Sequence, residues 1–164
     1  MNFIDIIKPY LSRGLLVDSD LLLVLCVGSV DRNLVREFKR TKAYSESDYD
    51  ILRKIVGFFQ TILTTPNILT EVNNLGRNLK GKHREKFQEA FSRIANSFFE
   101  EYTESQTAVN IPIFRDCGLA DSVTFCVSQS HSGCLLLTDD LELAGKVRKS
   151  GGDALNFNNF RYLS

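Results

Sequence analysis

Short apolar runs along this chain alternate with stretches in which apolar residues recur three and four positions apart. Leu15, Leu16 and Val17 form a run that stops at Asp18. Residues 61–65 form a β-branched run that stops at Pro66, and residues 134–138 form a third that stops at Asp139 and Asp140. Apolar runs of this length, bounded by polar or turn residues, predict buried parallel strands. A weaker run at 153–157 follows Gly151 and Gly152 and predicts a last strand. Helical spacing fills the intervals. It predicts helices over 3–11 (with Pro9 against it), 21–27 behind a cap at Ser19 or Asp20, 31–38, 45–60, 67–79, 119–129 and 141–149. The longest predicted helix covers 82–103, where Phe87, Phe91, Ile94, Ala95, Phe98, Phe99 and Tyr102 share one stripe. So many aromatic rings on one face point to core or interface packing. Residues 105–110 read as a polar break and 111–114 as an extended piece.

Strands alternating with helices define an α/β domain with a mainly parallel sheet and right-handed crossovers. Such sheets gather ligands beyond the carboxyl ends of their strands. That rule draws attention to the acids. Asp18 and Asp20 follow the first strand, and Glu71 lies early in the helix after the second. Asp121 begins the helix after Gly118, and Asp139 and Asp140 follow the strand ending at Thr138. Singly, Asp20 and Asp121 are ordinary helix N-terminal acids, and Asp139 is an ordinary cap. Together they would crowd negative charge, which is relieved by protonation or by a cation. Carboxylate oxygens favour hard ions, Mg²⁺ or Mn²⁺, and such ions suit phosphodiester hydrolysis.

Composition narrows the picture. A length of 164 residues predicts one domain, and 43% hydrophobic with 24% charged residues is ordinary globular usage. Lysine plus arginine and aspartate plus glutamate each total 20, so the net charge is zero, which argues against a wholly basic nucleic-acid coat. No apolar run approaches the ~20 residues of a membrane span, and the N-terminus does not read as a signal peptide. These features predict a cytoplasmic protein with no membrane partner. Cys26, Cys126 and Cys134 sit in apolar runs and read as small buried hydrophobes, whereas Cys117 lies in a polar turn. None has zinc-site spacing. His83 and His131 stand in unrelated contexts and supply no base to a cysteine; His131 reads as a loop residue.

Taken in order, the motifs resemble the PIN-domain nucleases. Leu-Val-Asp18-Ser19-Asp20 is similar to their apolar strand ending in Asp-x-Asn, and TPNILTEVNNL supplies the middle acid, Glu71. Gly118-Leu119-Ala120-Asp121 matches the third motif, and LLLTDD supplies Thr138, Asp139 and Asp140 for the fourth. The resemblance covers roughly residues 14–160. It implies a three-layer α/β/α sandwich, PIN-like and Rossmann-like; a helical extension at about 77–105 departs from the minimal toxin-like members. It also implies a Mg²⁺- or Mn²⁺-dependent ribonuclease. Asp18, Glu71, Asp121 and Asp139 or Asp140 would be catalytic, and Asp18, Asp121, Asp139 and Asp140 would hold one or two ions. Asp20 and Thr138 would position water, metal or phosphate. Asp20 replaces the usual Asn of the first motif and adds a charge there. RNA is the implied substrate, an antitoxin or other regulatory protein an implied partner, and a homodimer through the aromatic stripe a further expectation.

The chain lacks a phosphate-binding glycine loop and a GxSxG elbow. Arg77, Lys80, Lys82, Arg84 and Lys86, with His83, form its densest basic cluster, either a solvated turn or an RNA-binding patch. Lysines and arginines at the start of a helix that ends in Glu100, Glu101 and Glu104 oppose the helix dipole, which favours a partner-directed role. The alternative to an enzyme is a catalytically weak or inactive PIN-like module that binds RNA or protein.

Overall fold

The computed structural model describes residues 3–130 and 133–162. Among them, β1 (Leu15–Val17), β2 (Ile62–Thr64), β3 (Phe99–Glu100), β4 (Leu135–Thr138) and β5 (Asp153–Asn156) form one sheet ordered β3-β2-β1-β4-β5. Every neighbouring pair is parallel, with Leu16 registered against Leu63 on one side and Leu136 on the other. Helices on both faces complete a three-layer α/β/α sandwich. One packed group is α2 (Ser19–Val30) with α3 (Leu34–Glu37), α4 (Glu46–Gly57), α5 (Pro66–Gly76) and α6 (Gly81–Ser97). The other is α8 (Phe114–Ser130) with α7 (Ser105–Val109) and α9 (Leu141–Lys149). The short α1 (Phe3–Ile7) leads into a single 3-10 turn at Lys8–Tyr10.

Sequence pattern explains the layering. β1 and β4 are buried along their whole length, as strands covered on both faces must be. α2 is apolar on every side and buried from Leu21 to Gly28, so it is the central helix of its layer. Its neighbour α4 starts at a reciprocal cap. Ser45 Oγ accepts from the Asp48 amide at 3.1 Å, and the Asp48 carboxylate accepts from the Ser45 amide at 2.7 Å. α6 docks through Phe87, which is fully buried with its ring over Gly76. A Cβ at Gly76 would stand 1.9 Å from that ring.

Three expectations are corrected. The helix expected over 82–103 ends at Ser97, and the following residues turn extended as β3. The β2 ladder captures them: Leu63 faces Phe99, and the Glu101 amide donates to the Thr64 carbonyl at 2.9 Å. The aromatic stripe is split accordingly. Phe91 stacks on Phe87 with centroids 6.2 Å apart, Phe91 and Phe98 are half-buried, and Phe99 is 58% exposed. Residues 105–109, expected as a break, form α7. The expected extended piece at 111–114 is a turn into α8, which begins before Gly118. Gly118, at φ 81°, interrupts α8, and only a residue tolerant of left-handed backbone fits there. Among the described residues no helix is long and apolar enough to cross a membrane.

Candidate functional site

The chain leaves β1 for β2 and β3 on one side of the sheet and then returns to β4 and β5 on the other. The reversal falls between β1 and β4, where open parallel sheets place a ligand crevice at the carboxyl ends of the strands. Asp18 stands at the end of β1 and is only 7% exposed. Its amide donates to the Leu137 carbonyl at 3.0 Å, which ties it to β4. Its Oδ1 accepts from the Ser19 amide at 2.8 Å as the cap of α2, and its Oδ2 accepts from the Thr138 hydroxyl at 2.5 Å. The Thr138 hydroxyl in turn accepts from the Asp140 amide at 3.0 Å. Thr138 therefore spans the two strand ends.

The acids converge electrostatically. Burial pushes Asp18 up to about 7, against the hydrogen bonds from Thr138 and Ser19; the charges of Asp121 and Asp20 add to the rise. Asp121, on α8 just past the Gly118 interruption, is raised to about 6 by burial and then by Asp140, Glu71 and Asp20. Asp20 is raised by the desolvation of its carboxyl and then by Asp139, Glu71 and Asp140. The charges of Glu71 and Asp140 thus reach Asp20 and Asp121, that of Asp139 reaches Asp20, and those of Asp20 and Asp121 reach Asp18.

Their oxygens also have work in the fold. Asp140 caps α9, its Oδ1 accepting from the Glu142 and Leu143 amides at 2.8 and 3.0 Å. The Asp139 carboxylate accepts a short hydrogen bond from the Tyr44 hydroxyl. The Asp139 carbonyl accepts from the side chains of Asn156 and Asn158 at 3.0 and 3.3 Å. Burial first, and then Asp139, hold the Tyr44 hydroxyl protonated by raising its pKa. The Arg161 guanidinium lies 5.5 Å from the Tyr44 ring centroid and pairs with buried Asp48 at 2.8 Å.

Hard carboxylate oxygens suit Mg²⁺ or Mn²⁺. Among the described residues, however, no three His, Cys, Asp or Glu side chains stand close enough together to hold a metal ion. The donor chemistry fits such an ion and the spacing does not.

The basic cluster lies elsewhere. α5 starts beside the crevice at Pro66, and Arg77 follows its last residue, roughly 16 Å further along its axis at ~1.5 Å per residue. Lys80, Lys82, Arg84 and Lys86 are exposed at the start of α6, which has no side-chain cap and no acid in its first turn. His131 lies outside the described residues. All four cysteines are free. Cys26 and Cys134 are buried, but Cys126 is only half-buried, contrary to its apolar context. Cys117 is half-buried beside Lys146 Nζ at 3.4 Å, and burial raises its thiol pKa.

Sequence reasoning missed Tyr44, Asn156, Asn158 and Arg161. Tyr44 stands in a polar loop, and Arg161 is brought to it from the far end of the chain, so no local spacing links them. The only available signal was the Asn-rich stretch after β5.

The fold defines the class: a Rossmann-like α/β/α domain with a central parallel sheet whose order reverses between β1 and β4. No protein-family model matches the chain, and no curated protein does.

Proposed function

We propose that this chain is a PIN-like RNA-binding module of weak or no catalytic turnover. The observation that carries this reading is the double engagement of the acids. Asp18, Asp139 and Asp140 bind fold-making donors, while the charges of Glu71 and Asp140 bear on Asp20 and Asp121. A bare acidic crevice repels phosphate, so RNA reaches it only with a divalent cation or with its backbone charge met elsewhere. The exposed lysines and arginine that open α6 supply that second contact. Their placement against the helix dipole supports a partner-directed role.

A second reading, a Mg²⁺- or Mn²⁺-dependent ribonuclease, is favoured by the repulsion of neighbouring acids, which adds to the burial that lifts Asp18 to about 7 and Asp121 to about 6. Repulsion of this kind is relieved when a cation draws the carboxylates together. No three of these side chains stand close enough to hold an ion as they are, so this reading requires Asp18, Asp121, Asp139 and Asp140 to move together around it.

The test measures fluorescence anisotropy of a short single-stranded RNA with and without Mn²⁺, beside a gel assay for cleavage. Both use the wild type and Asp18→Asn. We expect binding with or without Mn²⁺, little changed in Asp18→Asn, and little cleavage. Rapid cleavage abolished by Asp18→Asn selects the nuclease. An RNA that never binds rejects both readings and leaves a protein partner.

A further inference from the structure

Against the acidic crevice lies an open groove of about 510 Å³, within the range of small-ligand sites. One wall is the outward face of α5, carrying Asn67, Thr70, Glu71 and Asn74. Leu119 and Ala120, just before Asp121, form the other. The groove and the crevice therefore share their borders. Glu71 lines the groove while its charge acts on Asp20 and Asp121.

The groove differs from the crevice in chemistry. Apart from Glu71 its polar groups are neutral, and its remaining surface is apolar. Neighbouring asparagines have structural partners: Asn73 accepts from Gln88 at 3.3 Å, and the Asn78 amide donates to the Leu75 carbonyl at 3.0 Å. The side-chain amides of Asn67 and Asn74 make no hydrogen bond among the described residues. At seven residues apart they stand on one face of α5, each offering both a donor and an acceptor. An exposed aromatic lies close in the backbone path. The Glu101 amide is bonded to the Thr64 carbonyl, so Tyr102, 74% exposed, follows directly beside the Thr65–Pro66 start of α5.

We propose that this groove is a nucleobase subsite, which takes one base of a single strand whose backbone is held outside the acids. The proposal rests on the RNA reading above. A phosphate or a carboxylate is a poor occupant next to Glu71. A neutral, flat group with donors and acceptors on its edge matches apolar walls and paired amides, because side-chain amides read base edges through matched donors and acceptors. Tyr102 offers a stacking face for an adjacent base.

The test compares a short single-stranded RNA with the same RNA carrying an abasic site at one internal position, scanned along the strand, by anisotropy in Mn²⁺. For the wild type, one position should cost about tenfold in affinity when its base is removed, in line with the loss of one stacked and hydrogen-bonded base. Asn67→Ala with Asn74→Ala, and separately Ala120→Phe, which fills the groove, should bring that difference to within about twofold. Both variants should still bind the abasic RNA as the wild type does, and melting curves check that each is folded. An intact and an abasic RNA that bind the wild type equally at every position overturn the subsite and leave the RNA reading standing. A wild type that binds neither RNA overturns both. A base preference retained in both variants places base recognition outside this groove and overturns the proposal.

Discussion

Asp18→Asn should make the metal-free protein more stable, and the gain should grow with pH. Asp18 has an ordinary value of 3.8 and is raised to about 7 in the fold. A carboxyl whose folded pKa is raised stabilises the fold while it is protonated. That contribution is complete below 3.8 and is lost as pH rises through about 7. A rise of this size corresponds to roughly 4 kcal/mol. Two effects act against it, the cap bond from Ser19 and the hydroxyl bond from Thr138, and burial outweighs both. Asparagine keeps the geometry. Its oxygen still accepts from the Ser19 amide, and its NH₂ turns to the Thr138 hydroxyl, which can accept. The variant should therefore match the wild type near pH 4 and exceed it by about 2–4 kcal/mol at pH 8. Asp121, raised to about 6, titrates with Asp18 and spreads the wild-type loss over a broad interval. Urea denaturation from pH 4 to 8, in buffer with a chelator, reads the difference directly. Parallel stability curves for the two proteins would refute the view that burial of this carboxylate dominates the crevice.

On the ribonuclease reading, Mn²⁺ at neutral pH should raise the melting temperature of the wild type and narrow its gap to Asp18→Asn, because an ion would draw the acids together; a melt indifferent to millimolar Mn²⁺ counts against a cation at the crevice. Gly76→Ala should destabilise by about 1–3 kcal/mol through collision with the Phe87 ring, whereas Gly57→Ala, with open space at its Cβ, should stabilise by about 0.5–1 kcal/mol. Denaturant midpoints of opposite sign check the pair. Arg161→Ala should cost about 2 kcal/mol by stranding the buried Asp48 carboxylate, measured by chemical denaturation; a neutral result would show that water replaces the guanidinium.

What the sequence reveals depends on whether the responsible forces are local. The β1 and β4 runs are apolar, uninterrupted and followed at once by acids, so both the strands and the placement of Asp18 and Asp139 just past their ends follow from short patterns. β3 is different. It has two residues, and the helical period of α6 runs straight through it. Only the ladder to β2, set by tertiary pairing, pulls Phe99 and Glu100 out of the helix. Fully buried Phe87 follows the aromatic stripe, while Phe99, on that same stripe, is more than half exposed. The Tyr44–Asp139 bond and the Arg161–Asp48 pair join segments 95 and 113 residues apart, so pattern reading along the chain had no means to find them. The Asn67–Asn74 face was present in the sequence as helical spacing, but its meaning depends on Leu119 and Ala120 standing opposite.

The double role of the acids decides which substitutions are informative. Asp140 is the cap of α9 through one oxygen, and its charge also raises Asp121 and Asp20. Asp140→Ala removes both at once, and loss of the cap alone costs about 1 kcal/mol. Asp140→Ser keeps a cap acceptor for the Glu142 and Leu143 amides and removes only the charge. If Asp140 matters to the crevice by its charge, the Ser variant should retain wild-type stability to within about 0.5 kcal/mol. In that case the pKa of Asp121 should also fall, since one of the charges that lift it is gone. Carboxyl titration followed by NMR, run beside denaturation of both variants, separates the effects. An Asp121 titration unchanged in Asp140→Ser would mean that Asp140 serves the helix alone. The crevice charge acting on Asp121 would then reduce to Glu71, Asp20 and Glu142, with burial as the main cause of its rise.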